Sequence, residues 1–217
     1  QLNGNDFVII VRNLDNEHKT INFMENYFDE QRFSKLNVGI GRFLVKRDFG
    51  QVSKLLNLDN GINSIKRLDK KMLSFYINSY QSYLWNSVVS GILDKKKDTH
   101  KVNYSLGHFT FLNKKIKDFK VPLLNFDSNF IRPLIKKEFE NIMEIENISK
   151  NSFIIKEIPE LINEGDERNV IVDVNIKSKF EDDNLNKGKF KQTLKFSLPK
   201  GSYATMVIKK MFSDTIS

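Results

Sequence analysis

Two stretches late in the chain alternate apolar and polar residues, at 170–176 and at 190–198. A period of two residues is typical of antiparallel strands that bury one side and expose the other to water. A polar loop that contains Gly188 separates the two stretches, so we predict a long antiparallel hairpin. A short apolar run at residues 6–14 predicts a further buried strand, which opens the sequence with almost no lead-in.

Elsewhere, apolar residues recur every three or four positions, as in amphipathic helices. The segments with this spacing are residues 38–58, 65–92, 133–146 and 202–211. Gly39 and Gly41 weaken the first prediction, because glycine is a poor helix former. Pro133 suits the first turn of the third segment, Ser202 can cap the fourth, and Pro122 predicts a turn. The mixture of antiparallel strands and separate helices predicts an α+β fold.

The composition narrows the class of protein. The chain has 217 residues, of which 40% are hydrophobic and 29% charged, so we predict a folded domain with a sizeable core. No apolar run approaches the ~20 residues that span a bilayer, and the start does not resemble a signal peptide. The absence of cysteine excludes disulfides, thiolate metal ligands and a cysteine nucleophile. These features predict a cytoplasmic protein that does not enter membranes.

The chain is basic, with a net charge of +8 and an isoelectric point near 9.4. Such a charge attracts polyanions, including nucleic acids. A composition rich in lysine and asparagine can equally reflect the base bias of a genome, so charge alone leaves the partner open. His18, His100 and His108 have no metal-ligand spacing, and we predict no metal site.

Three short segments combine aromatic rings with side-chain amides, hydroxyls or a cation: residues 26–33, 79–86 and 198–205. A pocket for a base taken out of its stack needs aromatic faces for stacking and amides for the edge of the base. The candidates of the first segment for this role are Asn26, Phe28, Gln31, Arg32 and Phe33. A helical turn that packs its aromatic rings and pairs Arg32 with a neighbouring carboxylate would use the same residues.

The second segment lies on the longest predicted helix. The apolar face of that helix carries three tyrosines that we predict to lie in the core: Tyr76, Tyr80 and Tyr83. Its polar candidates are Gln81, Ser82 and Asn86. Ser82 and Asn86 are four residues apart and therefore point the same way.

The third segment joins a strand to a helix through Lys200, Gly201 and Ser202. A glycine there lets the backbone approach a ligand closely, and the free N–H groups of a helix start favour an anion such as phosphate. An ordinary capped turn between a strand and a helix would have the same sequence features, so this segment is weakly specific by itself.

In this order, the three segments resemble the motifs of the TruD family of tRNA pseudouridine synthases. Those motifs read approximately Asn-Tyr-Phe-Gly-x-Gln-Arg-Phe-Gly, Ala-Tyr-Gln-Ser-x-Leu-Phe/Trp-Asn and Leu-Pro-x-Gly-Ser-Tyr-Ala-Thr. Two shorter matches lie between the second and third motifs: Pro159-Glu160-Leu161 and a Gly-x-x-Arg turn from Gly165 to Arg168. Each match is weak alone, whereas their occurrence in family order across the whole chain is specific.

The resemblance implies a pseudouridine-synthase catalytic core built on a mixed and antiparallel sheet, interrupted by a TruD insertion domain. The core would comprise residues 1–52 and 179–217, and the insertion domain residues 53–178. The implied reaction converts a D-arm uridine, at position 13 of tRNA, from an N-glycoside to a C-glycoside, without a metal or organic cofactor. The tRNA would bind in a basic cleft between the two parts, and the oligomeric state is left open.

The resemblance also implies roles for single residues. Asn26 would position a catalytic aspartate, and Phe28 would stack on the target uracil. Gln31, Arg32 and Phe33 would line or brace the pocket. The RNA-binding residues would include Gln81, Lys200, Gly201 and Ser202.

The sequence departs from the family pattern in several places. Asp29 and Ser34 replace the two glycines of the first motif, and Ser79 replaces the alanine of the second. Nothing matches the upstream segment in which the family carries its nucleophilic aspartate. We therefore expect that the chain corresponds to the C-terminal two-thirds of a TruD-like enzyme, that it is inactive alone, and that its first strand lacks sheet neighbours. A non-catalytic RNA-binding protein on the same scaffold is the alternative.

Overall fold

The computed structural model describes residues 4–31, 33–59, 61–161 and 165–213. In chain order, its strands and α-helices are β1 (Gly4–Leu14), β2 (Phe23–Glu25), α1 (Lys35–Val45), α2 (Phe49–Leu55), α3 (Ile62–Lys66), α4 (Lys70–Leu93), β3 (Thr99–Tyr104), β4 (Gly107–Leu112), β5 (Lys120–Pro122), α5 (Pro133–Glu146), β6 (Glu167–Asn169), β7 (Ile171–Asp173), β8 (Lys177–Asp182), β9 (Phe190–Pro199) and α6 (Ala204–Met211). The paired strands are antiparallel. This combination is the α+β fold that the sequence predicts.

The two ends of the described chain meet in a three-stranded sheet with the order β1–β9–β8. Phe7 of β1 lies opposite Phe196 of β9, and their ring centroids are 5.7 Å apart. The expectation that the first strand lacks sheet neighbours is therefore wrong, although none of the described strands pairs with its other edge. Val8 and Ile10 alternate with the inward residues of β1 and are 65% and 47% exposed.

The hairpin predicted from the alternating pattern is present, but its first arm is wrong. β9 pairs with β8, whereas β7 pairs with β2. Residues 170–176 are therefore not the partner of β9. The pattern correctly indicates that Val170, Val172 and Val174 are buried. Burial alone does not identify the partner strand, because any strand that covers the same side satisfies the pattern.

The longest helix, α4, runs through the core and buries Tyr80 and Trp85 completely. α1 crosses it closely at Gly41, since a Cβ atom added there would lie 2.0 Å from the main-chain oxygen of Tyr76. The first predicted helix is in fact two helices, α1 and α2. The chain turns between them at Arg47, whose φ of 58° is left-handed and incompatible with a continuous helix.

A buried charge network joins α1, α4 and α5. Glu146 accepts hydrogen bonds from Arg42 at 2.9 Å, from the Tyr80 hydroxyl at 3.0 Å and from the Tyr83 hydroxyl at 3.4 Å. Burial, together with the charge of Glu146, raises the pKa of both tyrosine hydroxyls. Tyr80 is buried, and Tyr76 and Tyr83 pack against the core from half-buried positions. The prediction that these tyrosines lie in the core is therefore confirmed for Tyr80, whereas Tyr76 and Tyr83 lie at the edge of the core.

The two prolines singled out from the sequence have different outcomes. Pro133 is the first residue of α5, as predicted. Pro122 belongs to β5 opposite Glu167 of β6 and does not form a turn. A two-stranded pair has only edge strands, where proline is tolerated because its missing N–H group need not be paired. Within the described part of the chain, no helix is long and apolar enough to cross a membrane.

Candidate functional site

A cavity of about 560 Å³ opens where the loop after β2 meets α4, β6 and the loop before α6. Six of the predicted site residues line it: Asn26, Phe28, Gln81, Lys200, Gly201 and Ser202. They come from all three motif segments. The fold therefore brings together side chains as far apart in sequence as Asn26 and Ser202, which are 176 positions apart.

The other predicted site residues do not line this cavity or are not described. Gln31 is exposed in a turn beyond it. Phe33 is buried in the core, where its ring centroid lies 6.4 Å from that of Tyr104. Arg32 lies outside the described residues. The start of the first segment, rather than its middle, therefore faces the cavity.

The position of Phe28 is fixed by the second segment. The main-chain N–H of Phe28 donates to Oδ1 of Asn86 at 3.0 Å, and Nδ2 of Asn86 donates to the Phe28 carbonyl at 2.8 Å. The Phe28 ring meets Trp85 nearly at a right angle, with centroids 5.5 Å apart. The Trp85 indole is held in turn by a hydrogen bond to the carbonyl of Val121 at 3.0 Å. Phe28 is 8% exposed and lines the cavity from a rigid position.

The side-chain amide of Asn26 has a defined orientation. Its Oδ1 accepts hydrogen bonds from Nη2 of Arg168 and from the hydroxyl of Ser202, both at 2.8 Å. Its Nδ2 donates to the carbonyl of Asn169 at 3.2 Å. Donors thus surround one end of the amide and an acceptor faces the other, which assigns oxygen and nitrogen without ambiguity.

Arg168 connects these parts, although its neighbours in the sequence do not indicate this role. Its Nε donates to the Asn26 carbonyl at 2.7 Å, and its Nη2 also donates to the Gly201 carbonyl at 2.8 Å. The guanidinium carbon lies 4.2 Å from the ring centroid of Phe28 and 5.6 Å from that of Trp85. Because the partners of Arg168 are distant along the chain, the only signal for it in the sequence is the Gly-x-x-Arg turn that the family shares.

The loop before α6 depends on glycine. Gly201 has a φ of 85°, and a Cβ atom there would lie 3.4 Å from Nη1 of Arg168. Ser202 does not cap α6, contrary to our prediction. Tyr203 occupies the cap position without a side-chain cap bond, and the Ser202 hydroxyl instead donates to Asn26. Lys200 is exposed at the rim of the cavity.

The polar candidates on α4 divide into two groups. Gln81 is buried at the cavity wall and donates to the carbonyl of Leu124 at 2.9 Å. Ser82 also lines the cavity, and its hydroxyl donates back to the carbonyl of Asn78 at 2.8 Å. Asn86 instead supports the loop that carries Phe28. The face of α4 that holds Ser82 and Asn86 therefore contributes both to the wall of the cavity and to the support of the loop that carries Phe28.

The two replaced glycines of the first motif have ordinary structural explanations. Asp29 is buried and accepts hydrogen bonds from the Thr205 hydroxyl, at 2.7 Å, and from Lys209, both on α6. Ser34 has an extended backbone, with φ of −109°, and its hydroxyl caps α1 by accepting from the Asn37 N–H at 3.1 Å. Neither side chain projects into the cavity, and neither position requires a glycine conformation.

A buried ion pair lies behind Asn26. Nζ of Lys210 donates to both carboxylate oxygens of Glu25, at 3.0 and 3.1 Å, and the N–H of Leu112 donates to the same carboxylate. Burial raises the pKa of Glu25, an effect that Lys210 opposes, and burial lowers the pKa of Lys210. This pair fastens α6 to β2, next to the cavity. Among the described residues there is no cluster of acidic, histidine and cysteine side chains that could hold a metal ion.

Comparison with known proteins identifies the family to which the chain belongs. A family model described as tRNA pseudouridine synthase D (TruD) matches residues 52–211, which is most of the chain. The chain belongs to the TruD family. This result confirms the family that the motif segments indicate; the matched range contains the second and third segments, and the first, residues 26–33, lies outside it.

Individual relatives cover the chain to different extents. A "Probable tRNA pseudouridine synthase D 2" of Methanocaldococcus jannaschii is 29% identical over 97% of this chain and 67% of that protein. A "Probable tRNA pseudouridine synthase D 1" of Methanococcus maripaludis is 31% identical over 76% of this chain and 45% of that protein. The chain therefore spans less than half of the second relative. The alignment with the first runs over 293 residues, more than the 217 of this chain, so that relative contains segments without a counterpart here.

A solved structure has the same fold. The crystal structure of the "Putative tRNA pseudouridine synthase D (TruD)" from Methanosarcina mazei superposes with a TM-score of 0.72, covering 97% of this chain and 69% of that one. The identity is 20%. This likeness shows that the arrangement of helices and antiparallel sheets described above is the TruD fold.

Proposed function

We propose that this chain carries the base-binding part of a tRNA pseudouridine synthase that acts on a uridine of the D arm, position 13 of tRNA. The observation that carries the proposal is the cavity itself. It unites Asn26 and Phe28 with Lys200 and Ser202 in a chain of the TruD family. The names of the relatives, from Methanocaldococcus jannaschii to Aquifex aeolicus, support the same activity.

The proposed reaction breaks the bond between C1′ of the ribose and N1 of uracil and forms a bond from C1′ to C5. A proton leaves C5 and another is gained at N1, so the change is an isomerisation. Between the two steps the free uracil must stay bound and must turn. In this proposal Phe28 stacks on the uracil, Asn26 positions the catalytic aspartate, and the amide of Gln81 directs the polar edge of the base. Lys200 attracts the neighbouring phosphate.

The remaining residues of the first motif have supporting roles in this proposal. Phe33 braces the loop from the core, Gln31 serves the RNA outside the cavity, and Arg32 keeps the pocket-lining or bracing role that the family resemblance implies. The division into a catalytic part (1–52 and 179–217) and an insertion domain (53–178) is part of the same proposal. So are a cytoplasmic location and a reaction without metal or organic cofactor.

The attacking carboxylate is the missing component. Asp166 and Glu167 are the carboxylates among the described residues that line the cavity, and both are exposed. The side chain of Asp166 is engaged with the N–H of Glu167 at 2.8 Å. Neither lies in a segment that resembles the family's nucleophile. We therefore expect the nucleophile to come from sequence upstream of these 217 residues, and the chain alone to form no pseudouridine.

The test is pseudouridine formation on an unmodified tRNA transcript. The chain is compared with a version extended upstream in its gene, each with Phe28 or Phe28→Ala. The matched control is Phe75→Ala, which removes a partly exposed ring that does not line the cavity. We expect activity in the extended protein and its control, and none with Phe28→Ala. Pseudouridine made by the short chain would refute the proposed source of the nucleophile.

A non-catalytic RNA-binding protein is the competing outcome. The charge of +8 favours any RNA partner, whether or not a reaction follows. Such a protein would bind the transcript in both lengths, form no pseudouridine in either, and bind equally well with Phe28→Ala. That set of results would refute the enzymatic proposal.

A further inference from the structure

We infer that Arg168 is the positioning residue of this site, which sets the direction of the Asn26 amide and supports one face of Phe28. The inference rests on the proposed function only in its kinetic consequences. Its structural part concerns Arg168, Asn26 and Phe28 themselves and can be tested without any reaction.

The Arg168 side chain joins two of the motif segments. Arg168 donates to the main-chain oxygen and to the side-chain oxygen of Asn26, and also to the main-chain oxygen of Gly201. These acceptors belong to the first and third motif segments. A planar guanidinium presents several donors in a fixed fork, so it can hold all three acceptors at once. A lysine ammonium in the same place is a single point and cannot reproduce this geometry.

The orientation of the Asn26 amide is set by the groups around it. An asparagine side chain can turn by half a rotation, which exchanges its oxygen and nitrogen. Here the turned amide would point its NH₂ group at two donors, Arg168 and Ser202, and its oxygen at the carbonyl of Asn169. Both ends would be mismatched. Arg168 therefore makes Asn26 present Nδ2 in one direction, and Nδ2 carries a second hydrogen for a neighbour in the cavity.

Arg168 also lies against the ring of Phe28. The Arg168 guanidinium lies 4.2 Å from the ring centroid, a distance typical of a cation over an aromatic face. Trp85 and Tyr203 meet the same ring at steep angles, with centroids 5.5 and 6.4 Å away. Because Arg168 is held by three hydrogen bonds, it cannot leave this face without releasing Asn26. A planar base that stacks on Phe28 therefore uses the opposite face, with the cation behind the ring.

The kinetic test uses Arg168→Lys, Arg168→Met and Ser202→Ala in the active, extended protein. Arg67→Met is the control, because Arg67 is an exposed arginine at the end of α3. We expect Arg168→Lys to lower kcat by roughly tenfold to a hundredfold, as misplacement of a reacting group does, with a much smaller change in KM. Arg168→Met should affect both constants, because it also removes the cation behind Phe28.

The Ser202 variant tests whether the two donors act through one oxygen. Ser202→Ala should lower kcat less than Arg168→Lys does. The double variant should be no slower than Arg168→Lys alone, because both changes release the same amide. Independent, multiplying effects would contradict a shared action on Asn26. If Arg168→Met does not fold, Arg168→Lys and Ser202→Ala carry the comparison.

A measurement without catalysis separates this inference from the proposed function. The side-chain amide signals of Asn26, assigned in ¹⁵N NMR spectra with Asn26→Asp, should shift toward those of a free amide in Arg168→Lys and stay unchanged in Arg67→Met. Binding of uridine 5′-monophosphate, followed by the fluorescence of Trp85, the one tryptophan of the chain, should weaken in Arg168→Met. Unchanged Asn26 signals, or tighter binding of the nucleotide, would overturn the inference whether or not pseudouridine is formed.

Discussion

Asn86 binds the main chain of Phe28 through both ends of its side-chain amide, accepting from the N–H at 3.0 Å and donating to the carbonyl at 2.8 Å. The two residues are 58 positions apart, and both are buried. Asn86 therefore does for the loop after β2 what a neighbouring strand would do. It satisfies both main-chain groups of a residue that has no strand partner.

This relationship predicts the effect of changing Asn86. Asn86→Ala leaves a buried N–H and a buried carbonyl without partners, and each costs about 1–3 kcal/mol, so we expect a loss of roughly 3 kcal/mol in the free energy of unfolding. Asn86→Asp should cost at least as much, because a buried carboxylate cannot donate to the Phe28 carbonyl. Urea unfolding measures both. Asn103→Ala, at an exposed position of β3, should change stability by less than about 0.5 kcal/mol.

Asp29 and Lys209 should depend on each other. Asp29→Gly, which restores the family residue, and Lys209→Met each break a largely buried ion pair that also includes Thr205. We expect each to cost about 2 kcal/mol, less than a fully buried pair because Lys209 is partly exposed. The double variant should lose at least about 1 kcal/mol less than the sum. Strictly additive losses would show that the pair does not stabilise the loop.

The crossing of α1 and α4 gives a matched pair of glycine substitutions. Gly41→Ala would place a Cβ atom 2.0 Å from the main-chain oxygen of Tyr76, so the helices must separate and we expect a loss of about 3 kcal/mol. Gly39→Ala, on the same helix, meets nothing closer than Leu55 at 4.0 Å. It should stabilise by about 0.5–1 kcal/mol through helix propensity. Thermal unfolding of the two variants, shifted in opposite directions, checks the prediction.

Asp183 predicts a dependence of stability on acid. Burial alone would raise its pKa, but hydrogen bonds from Asn186, from the N–H groups of Leu185 and Asn13, and from Arg12 outweigh burial and hold the pKa well below the usual 3.8. Because the folded-state pKa is lower than the unfolded one, Asp183 contributes stability above about pH 4. That contribution disappears as the pH falls from there toward the folded-state pKa.

The variant Asp183→Asn should therefore be less stable than the wild-type chain at pH 7 and approach it below pH 3. Unfolding by urea at a series of pH values measures this convergence. Asp182→Asn, at the exposed neighbouring position, removes a carboxylate without touching the Asp183 hydrogen bonds. A gap between wild type and Asp183→Asn that stays constant with pH would contradict the assignment.

The sequence indicates the parts of the site but not how they are joined. Asn26, Phe28 and Gly201 stand out because amides, rings and glycines are unusual in such combinations. Arg168 and Asn86 act through partners 33 to 142 positions away, and no local pattern reports such a contact. The sequence predicts Ser202 as a helix cap because Ser202 lies next to the start of the helix. Its actual acceptor, Oδ1 of Asn26, is 176 positions away.

Local sequence patterns also predict some parts of the fold but not the pairing of distant strands. The strand at β1, the helix α4 and the start of α5 at Pro133 follow from local periodicity and proline chemistry. The pairing of β7 with β2, and of β8 with β9, depends on which strand covers which side, and the alternation of Val170, Val172 and Val174 is equally consistent with either arrangement. The break between α1 and α2 at Arg47 contains no glycine or proline, so the sequence does not indicate it.

Because β1 pairs with β9, the three-stranded sheet cannot form until nearly all of these residues have been synthesised. At about 5–20 residues per second, the roughly 180 residues between the two strands take on the order of 10 to 40 seconds to leave the ribosome. During that interval Phe7 of the nascent chain has no Phe196 to stack on, and the strand is available to chaperones. α4 and the loop of Phe28 can assemble early, whereas Ser202 emerges late. The cavity is therefore among the last features of the chain to form.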